Sequence, residues 1–161
     1  DATGVVGAAL SLGAQFAYFV TRGRSDGTAS NTVLSAVDLT SIVQPRHRKL
    51  DLPQSLRFAY DQIVVSPDSS RLYLGFGDTV SGFDTINEVR VYDAATLEEL
   101  AKIDLGGSAI DLAISSEGDH LYVLSAVSQT LAVYDATTMA PLGTVGDLGG
   151  TPARILVPGR R

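Results

Sequence analysis

Short apolar runs alternate with short polar turns along the whole chain, which is the pattern of β-strands. In the last third of the sequence the apolar runs occupy residues 110–115, 120–126, 130–135 and 141–148. Residues 121–124 are all apolar, as in a strand that is buried on both faces. Residues 89–91 alternate between apolar and polar, as in a strand that is exposed to solvent on one face. The pattern therefore predicts an all-β protein built from four-stranded units.

The same unit occurs earlier in the chain. Residues 66–74, Ser-Pro-Asp-Ser-Ser-Arg-Leu-Tyr-Leu, and residues 89–93, Val-Arg-Val-Tyr-Asp, recur as 115–123 and 131–135. The strands of this earlier unit are predicted at residues 62–66, 71–76, 88–93 and 100–105. A fainter copy lies within residues 9–38, so the chain contains three repeats of one β unit.

Four-stranded units with this spacing resemble the blades of a β-propeller. The Ser-Pro-Asp and Val-x-Val-Tyr-Asp motifs more narrowly resemble the YVTN-type repeat of bacterial and archaeal surface and periplasmic propellers. The resemblance implies a partial β-propeller of about three four-stranded blades plus one extra inner strand, within a single domain covering residues 1–161. The blades are expected at residues 5–52, 53–105 and 106–148, with the start of a further blade at 149–157.

Three blades are too few to close a propeller comfortably, since closed propellers have about four to eight. An end blade that left about 400 Å² of apolar face in water would forgo on the order of 10 kcal/mol. The extra strand at 149–157 would also have an unpaired edge. We therefore expect another polypeptide segment or chain to complete the propeller, with assembly of two copies into one ring as the alternative.

Charge and composition exclude several classes of function. The net charge of −6 and the pI near 4.7 argue against nucleic acid as a partner. The absence of cysteine excludes disulfides and thiolate metal sites. The apolar run at residues 5–20 is better explained by buried strands than by a membrane span or a signal peptide. A first residue other than methionine favours a mature exported protein, in the periplasm, at the cell surface or secreted.

One long loop is rich in oxygen ligands. Calcium binds carboxylate and amide oxygens, and the candidate ligands in residues 77–88 are Asp78, Asp84, Asn87 and Glu88. The loop lacks the Asp-x-Asp-x-Asp-Gly spacing of a dedicated calcium site, so the alternative is a plain polar loop that decorates one side of the propeller. No other cofactor is predicted.

No catalytic residues are predicted from the sequence. Asp38, Asp93 and Asp135 recur at one position of the repeat, which indicates carboxylates that fix turns. The only histidines, His47 and His120, have no second ligand at metal-binding spacing. Tyr residues that recur at equivalent positions indicate packing between blades.

These observations predict a non-catalytic binding or scaffolding module of an exported or cell-surface prokaryotic protein. The alternative is a fragment or subunit of a propeller enzyme, either a lactonase-like hydrolase or a periplasmic cofactor-dependent dehydrogenase. The resemblance allows both, because one fold carries many functions.

Overall fold

The computed structural model describes residues 4–22, 32–41, 43–52, 58–77, 87–105, 109–125, 128–150 and 154–157. Twelve strands form three four-stranded antiparallel sheets. The first sheet contains β1 (Gly4–Leu10), β2 (Phe16–Arg22), β3 (Thr32–Asp38) and β4 (His47–Leu52). The second contains β5 (Phe58–Val65), β6 (Arg71–Phe76), β7 (Glu88–Asp93) and β8 (Glu99–Asp104). The third contains β9 (Ala109–Ile114), β10 (His120–Ser125), β11 (Thr130–Asp135) and β12 (Pro141–Val145).

Within each sheet the strands pair in chain order, as in the blades of a propeller. The predicted strands of the second and third sheets are confirmed within a few residues at their ends. Residues 94–96 form a turn that leads into β8. The all-β, partial-propeller architecture is therefore the one that the alternating pattern indicated.

The hydrophobic core lies between the sheets rather than within one of them. Alternate residues of a strand point to opposite faces, so the second sheet buries one face against each neighbour. Towards the first sheet it packs Leu72, Leu74 and Phe76, all 0% exposed. Towards the third sheet it packs Tyr73, Val89, Val91 and Ile103. Two separate cores result, one at each boundary between sheets.

The first strands of the three sheets lie side by side, with β5 in contact with both β1 and β9. The outer strands are more exposed to solvent than the inner ones, and every residue of β12 is exposed. Residues 154–157, which belong to the predicted extra strand at 149–157, have no strand assignment. The backbone of this segment contacts the third sheet, because Ile155 N donates to Asp111 Oδ2 at 2.6 Å.

The only helix in the described part of the chain is a three-residue 3₁₀ turn, Leu12–Ala14. No described helix is therefore long enough to cross a bilayer.

Candidate functional site

The predicted calcium ligands are only partly within the described residues. Asp78 and Asp84 lie outside them. Asn87 precedes β7, and its carbonyl accepts a hydrogen bond from Leu105 N at 2.8 Å. Glu88 begins β7 with a side chain that is 2% exposed. The calcium site on these four residues stays a prediction.

Glu88 has two protein cations beside it. Its Oε1 accepts a short hydrogen bond from Arg90 Nε, and its Oε2 lies 3.8 Å from Lys102 Nζ. A calcium ion at Glu88 would therefore compete with an arginine and a lysine for one carboxylate. Sequence reasoning could not find these contacts, because the lysine comes from β8 and reaches Glu88 only through strand pairing.

The Glu88 carboxylate belongs to a ladder of charges across β7 and β8. Arg90 also donates to Glu99 at 2.8 Å, and Lys102 donates to Asp104 at 3.1 Å. Burial acts to lower the pKa of Arg90, but its hydrogen bond and ion pair with Glu88, together with Glu99, outweigh burial and raise that pKa. Arg90 therefore keeps its positive charge at neutral pH and holds Glu88 and Glu99 within this ladder.

Tyr92 adds a buried polar group at the end of this ladder. It is 1% exposed, and burial raises its pKa to about 12. Its hydroxyl has no hydrogen-bond partner among the described residues. A phenol with so high a pKa stays protonated at neutral pH, so it does not act as a base there.

The recurrent aspartates fix turns, as the sequence predicted. Asp93 Oδ1 accepts hydrogen bonds from Ala95 N at 2.9 Å and from Thr96 N at 2.7 Å. The third sheet repeats this arrangement, because Asp135 Oδ1 accepts from the backbone N–H groups of residues 137 and 138. In the first sheet Asp38 Oδ1 accepts from Thr40 N at 2.9 Å. These hydrogen bonds lower the pKa of all three carboxyl groups.

A second set of turns is fixed by serines. Ser66 Oγ accepts from the N–H groups of residues 70 and 71, and Ser115 Oγ accepts from those of residues 119 and 120. Asp68 reinforces the first of these turns by accepting from Ser66 Oγ at 2.5 Å. In the third sheet Asp119 takes this place, accepting from Ser115 Oγ at 2.6 Å.

We expect the folded protein to lose stability in acid through these turns. Because the pKa values of Asp38, Asp93 and Asp135 are lower in the folded protein than in the unfolded chain, the carboxylates stabilise the fold above about pH 4. This contribution disappears as the pH falls through the lowered pKa values. Thermal unfolding midpoints recorded from pH 6 to pH 2 should fall steeply below pH 4.

The matched variants are Asp135→Asn and Asp147→Asn. The first should flatten the acid dependence because it removes a titrating turn carboxylate. The second changes an exposed aspartate that makes no hydrogen bond to the described residues and should leave the dependence unchanged. Equal pH profiles for both variants would contradict the assignment.

The two histidines do not form a metal site within the described residues. His47 is exposed at the start of β4, and His120 Nδ1 lies 2.7 Å from Asp119 Oδ1 on the third sheet. No group of three or more His, Asp or Glu side chains in the described ranges is placed to hold a metal ion. The carboxylates that recur along the chain act in turns rather than in a convergent site.

Two solved structures share the fold over nearly the whole chain. The C-terminal WD40 domain of Sif2 superimposes with a TM-score of 0.66, over 93% of this chain and 39% of that chain, at 9% identity. Hydrazine synthase of Kuenenia stuttgartiensis superimposes with a TM-score of 0.61, over 94% of this chain and 38% of that chain, at 17% identity. At such identities the likeness shows the β-propeller fold alone.

The sequence family is more specific. The methylamine dehydrogenase heavy chain (MADH) family matches residues 77–158, just over half of the chain. The chain belongs to this family. Within it, the methylamine dehydrogenase heavy chain of Paracoccus versutus is 42% identical over 65 residues. The aligned part is 40% of this chain and 15% of that protein, so this chain spans a small part of its relative's length.

Membership of the methylamine dehydrogenase heavy chain family refines the resemblance drawn from the sequence. A β-propeller is confirmed, whereas the narrower YVTN-type assignment is not confirmed by these comparisons. Of the functions predicted from the sequence, the comparisons give support to the propeller-enzyme alternative. The matched region runs from the end of β6 to beyond β12 and so includes the whole third sheet.

Proposed function

We propose that this chain is a scaffolding part of the propeller subunit of an exported amine dehydrogenase, and that it positions another polypeptide or segment that carries out the oxidation. The observation that carries the proposal is the family match over residues 77–158 to a protein named as a heavy chain. A heavy chain is by name one of at least two kinds of chain. The propeller would therefore provide a binding surface rather than the reacting groups.

The chemistry of the side chains also favours a structural role for this chain rather than a role in the oxidation itself. An amine dehydrogenase needs a group that accepts electrons. The sequence contains no tryptophan and no cysteine, so a quinone built from a tryptophan ring or a thiolate-held metal cannot form on this chain. The residues present do not fit a redox group of these kinds. We place that group outside this chain, and no step of the oxidation is assigned to it.

The acids of the described region also support this proposal. The carboxylates of Asp38, Asp93 and Asp135 are engaged by turn N–H groups, and that of Glu88 by Arg90. A general base must be free to accept a proton from its substrate. Groups that are bound in turns and ion pairs are suited to holding the sheets in shape.

Native purification tests the proposal. The protein that contains this chain is tagged in its source organism, purified without denaturant, and assayed for reduction of an artificial electron-accepting dye with methylamine. We expect a second polypeptide to co-purify and dye reduction to depend on the amine. An equal concentration of methanol is the control, because it has no amino group to oxidise.

Separating the two polypeptides distinguishes the roles. The activity should leave with the partner polypeptide, while the propeller subunit keeps its β-sheet circular dichroism. Amine-dependent dye reduction by the isolated propeller subunit would show that it carries the reacting group and would overturn the scaffold role. Purification of a single polypeptide without amine-dependent activity would overturn the dehydrogenase assignment.

A further inference from the structure

A groove between the second and third sheets is lined by hydroxyl groups and apolar side chains. It has a volume of about 230 Å³ and lies on the face of the third sheet that packs against the second. Its polar lining consists of Ser125, Ser128, Thr130, Tyr134 and Thr144. Its apolar lining consists of Val123, Ala132 and Leu105, the residue that follows β8. Every described residue that lines this groove is therefore uncharged.

The repeat shows which residues make this groove neutral. Three positions that carry the charge ladder of the second sheet have uncharged, shorter side chains in the third sheet. The equivalent pairs are Glu88 and Thr130, Arg90 and Ala132, and Lys102 and Thr144. The matching groove between the first and second sheets is lined by Arg90 and by four other charged side chains. The neutral lining therefore distinguishes the second boundary between sheets from the first.

Two of the hydroxyl groups in this groove are available to a ligand. The side chains of Tyr134 and Thr144 make no hydrogen bond to the described residues, whereas Ser128 Oγ and Thr130 Oγ1 share a hydrogen bond at 2.7 Å. Burial alone raises the pKa of Tyr134, without a contribution from a charged group. Its phenol therefore stays protonated at neutral pH. Since a hydroxyl group both donates and accepts, the groove offers hydrogen bonds of both kinds.

The lining of the groove defines the chemistry of its ligand. A charged ligand would give up hydration without meeting an opposite charge, so the groove favours an uncharged one. A wholly apolar ligand would leave the hydroxyl groups without partners. A sugar ring has hydroxyl groups around its edge and C–H groups on its faces, which matches a groove that combines hydroxyl with apolar side chains. Because the ring is rigid, it also loses little conformational freedom on binding.

We propose that this hydroxyl-lined groove binds an uncharged sugar ring. The hydroxyl groups of Tyr134 and Thr144 hydrogen-bond to the hydroxyl groups of the sugar, while Leu105 and Ala132 contact a C–H face of the ring. The inference goes beyond the proposed function and does not rest on it, because both sheets that border the groove belong to this chain. A sugar site in the groove is compatible with a scaffold and with an enzyme.

Saturation-transfer-difference NMR on the full-length protein that contains this chain tests the proposal. The probes are D-glucose, D-glucuronate, protonated D-glucosamine and cyclohexanol, each titrated into the millimolar range. Glucuronate and glucosamine keep the sugar ring and add a negative or a positive charge, whereas cyclohexanol keeps a six-membered ring with one hydroxyl group. We expect saturation transfer to glucose, with an affinity roughly two- to tenfold higher than for the other three probes.

Two arginine variants locate the bound sugar. Ala132→Arg introduces at this position the residue that the second sheet has as Arg90, so it should fill the groove and abolish saturation transfer to glucose. Gly143→Arg is the matched control, because residue 143 lies on the opposite face of β12 from Thr144 and nothing lies within 4 Å of an added Cβ. It should leave the transfer unchanged. Far-UV circular dichroism and urea unfolding check that both variants are folded.

A conservative variant provides a second readout that does not depend on the folding of Ala132→Arg. Tyr134→Phe removes only a hydroxyl group and should weaken glucose binding roughly two- to tenfold, the effect of one lost hydrogen bond. Unchanged glucose affinity in this variant would contradict the proposal. So would the absence of saturation transfer to glucose in the unaltered protein, or full transfer in a folded Ala132→Arg variant. Binding of glucuronate, glucosamine or cyclohexanol as tight as that of glucose would overturn the assignment of an uncharged sugar.

Discussion

Replacing Arg90 by methionine is expected to lower the free energy of unfolding by about 3 kcal/mol, because it leaves a buried carboxylate without its nearest cation. The Glu88 side chain is 2% exposed, and Arg90 Nε donates directly to it. Methionine fills a similar volume with an apolar side chain, so the lost charge rather than a cavity dominates the effect. Lys102, 3.8 Å from the other carboxylate oxygen, compensates in part and keeps the loss at the lower end of the range for broken buried pairs.

The Lys102→Met variant is the matched control for Arg90→Met. Its side chain is half exposed and is shared with Asp104, so the expected loss is much smaller than that of Arg90→Met, as for other surface pairs. The double variant Glu88→Leu with Arg90→Met removes both charges and should recover much of the lost stability, since buried pairs can be replaced by apolar residues at little cost. Urea unfolding of the three variants measures these differences. A double variant no more stable than Arg90→Met would show that the penalty does not come from an unpaired Glu88.

Glu88 also shows which contacts could not be predicted from the sequence. The oxygen-rich composition of residues 77–88 made Glu88 a candidate calcium ligand, and composition was the only signal available. The structure adds the cross-strand register, which pairs Arg90 with Lys102 and brings both cations to Glu88. Register depends on how β7 meets β8, and no local pattern in either strand specifies it. The sequence therefore drew attention to Glu88 by composition alone and could not give its partners.

The strands themselves were predictable because their causes are local. Apolar alternation and the turn residues between strands determined where β6, β7, β10 and β11 lie, and the recurrent aspartates indicated their capped turns. The contact from Arg71 to the third sheet was not predictable in this way. The repeat placed Arg71 and His120 at equivalent positions, but only the assembled sheets show that Arg71 Nη1 faces the carbonyl oxygens of Ala136 and Thr137.

Replacing Gly75 by alanine is expected to lower the free energy of unfolding by about 2–4 kcal/mol, from overpacking and from the loss of a buried hydrogen bond. An added Cβ would overlap Oε1 of Gln62 and lie 3.1 Å from its Cβ and Cδ. Gln62 is 2% exposed, and its Nε2 donates to Ala109 O at 2.5 Å. Gly75 therefore provides the space in which Gln62 links the second sheet to the inner strand of the third.

The single hydrogen bond of the Gln62 side chain explains why a larger residue at position 75 should be poorly tolerated. Its Oε1 has no partner among the described residues, so the Nε2 contact with Ala109 alone orients the amide. A side chain displaced by a methyl group at residue 75 would leave both the amide and the Ala109 carbonyl unpaired in the core. Two unpaired buried polar groups cost more than the steric overlap itself would.

Two further variants separate these contributions. Gly143→Ala adds the same methyl group on the exposed strand β12, where nothing lies within 4 Å, and should change the stability by about 0.5 kcal/mol or less. Gln62→Ala in the Gly75→Ala background removes the overlapping atoms, so the double variant should be more stable than Gly75→Ala alone. Free energies of urea unfolding of the wild type, Gly75→Ala, Gln62→Ala and the double variant complete the cycle. If the double variant loses the sum of the two single losses, the residues do not interact, and the space at Gly75 does not serve Gln62.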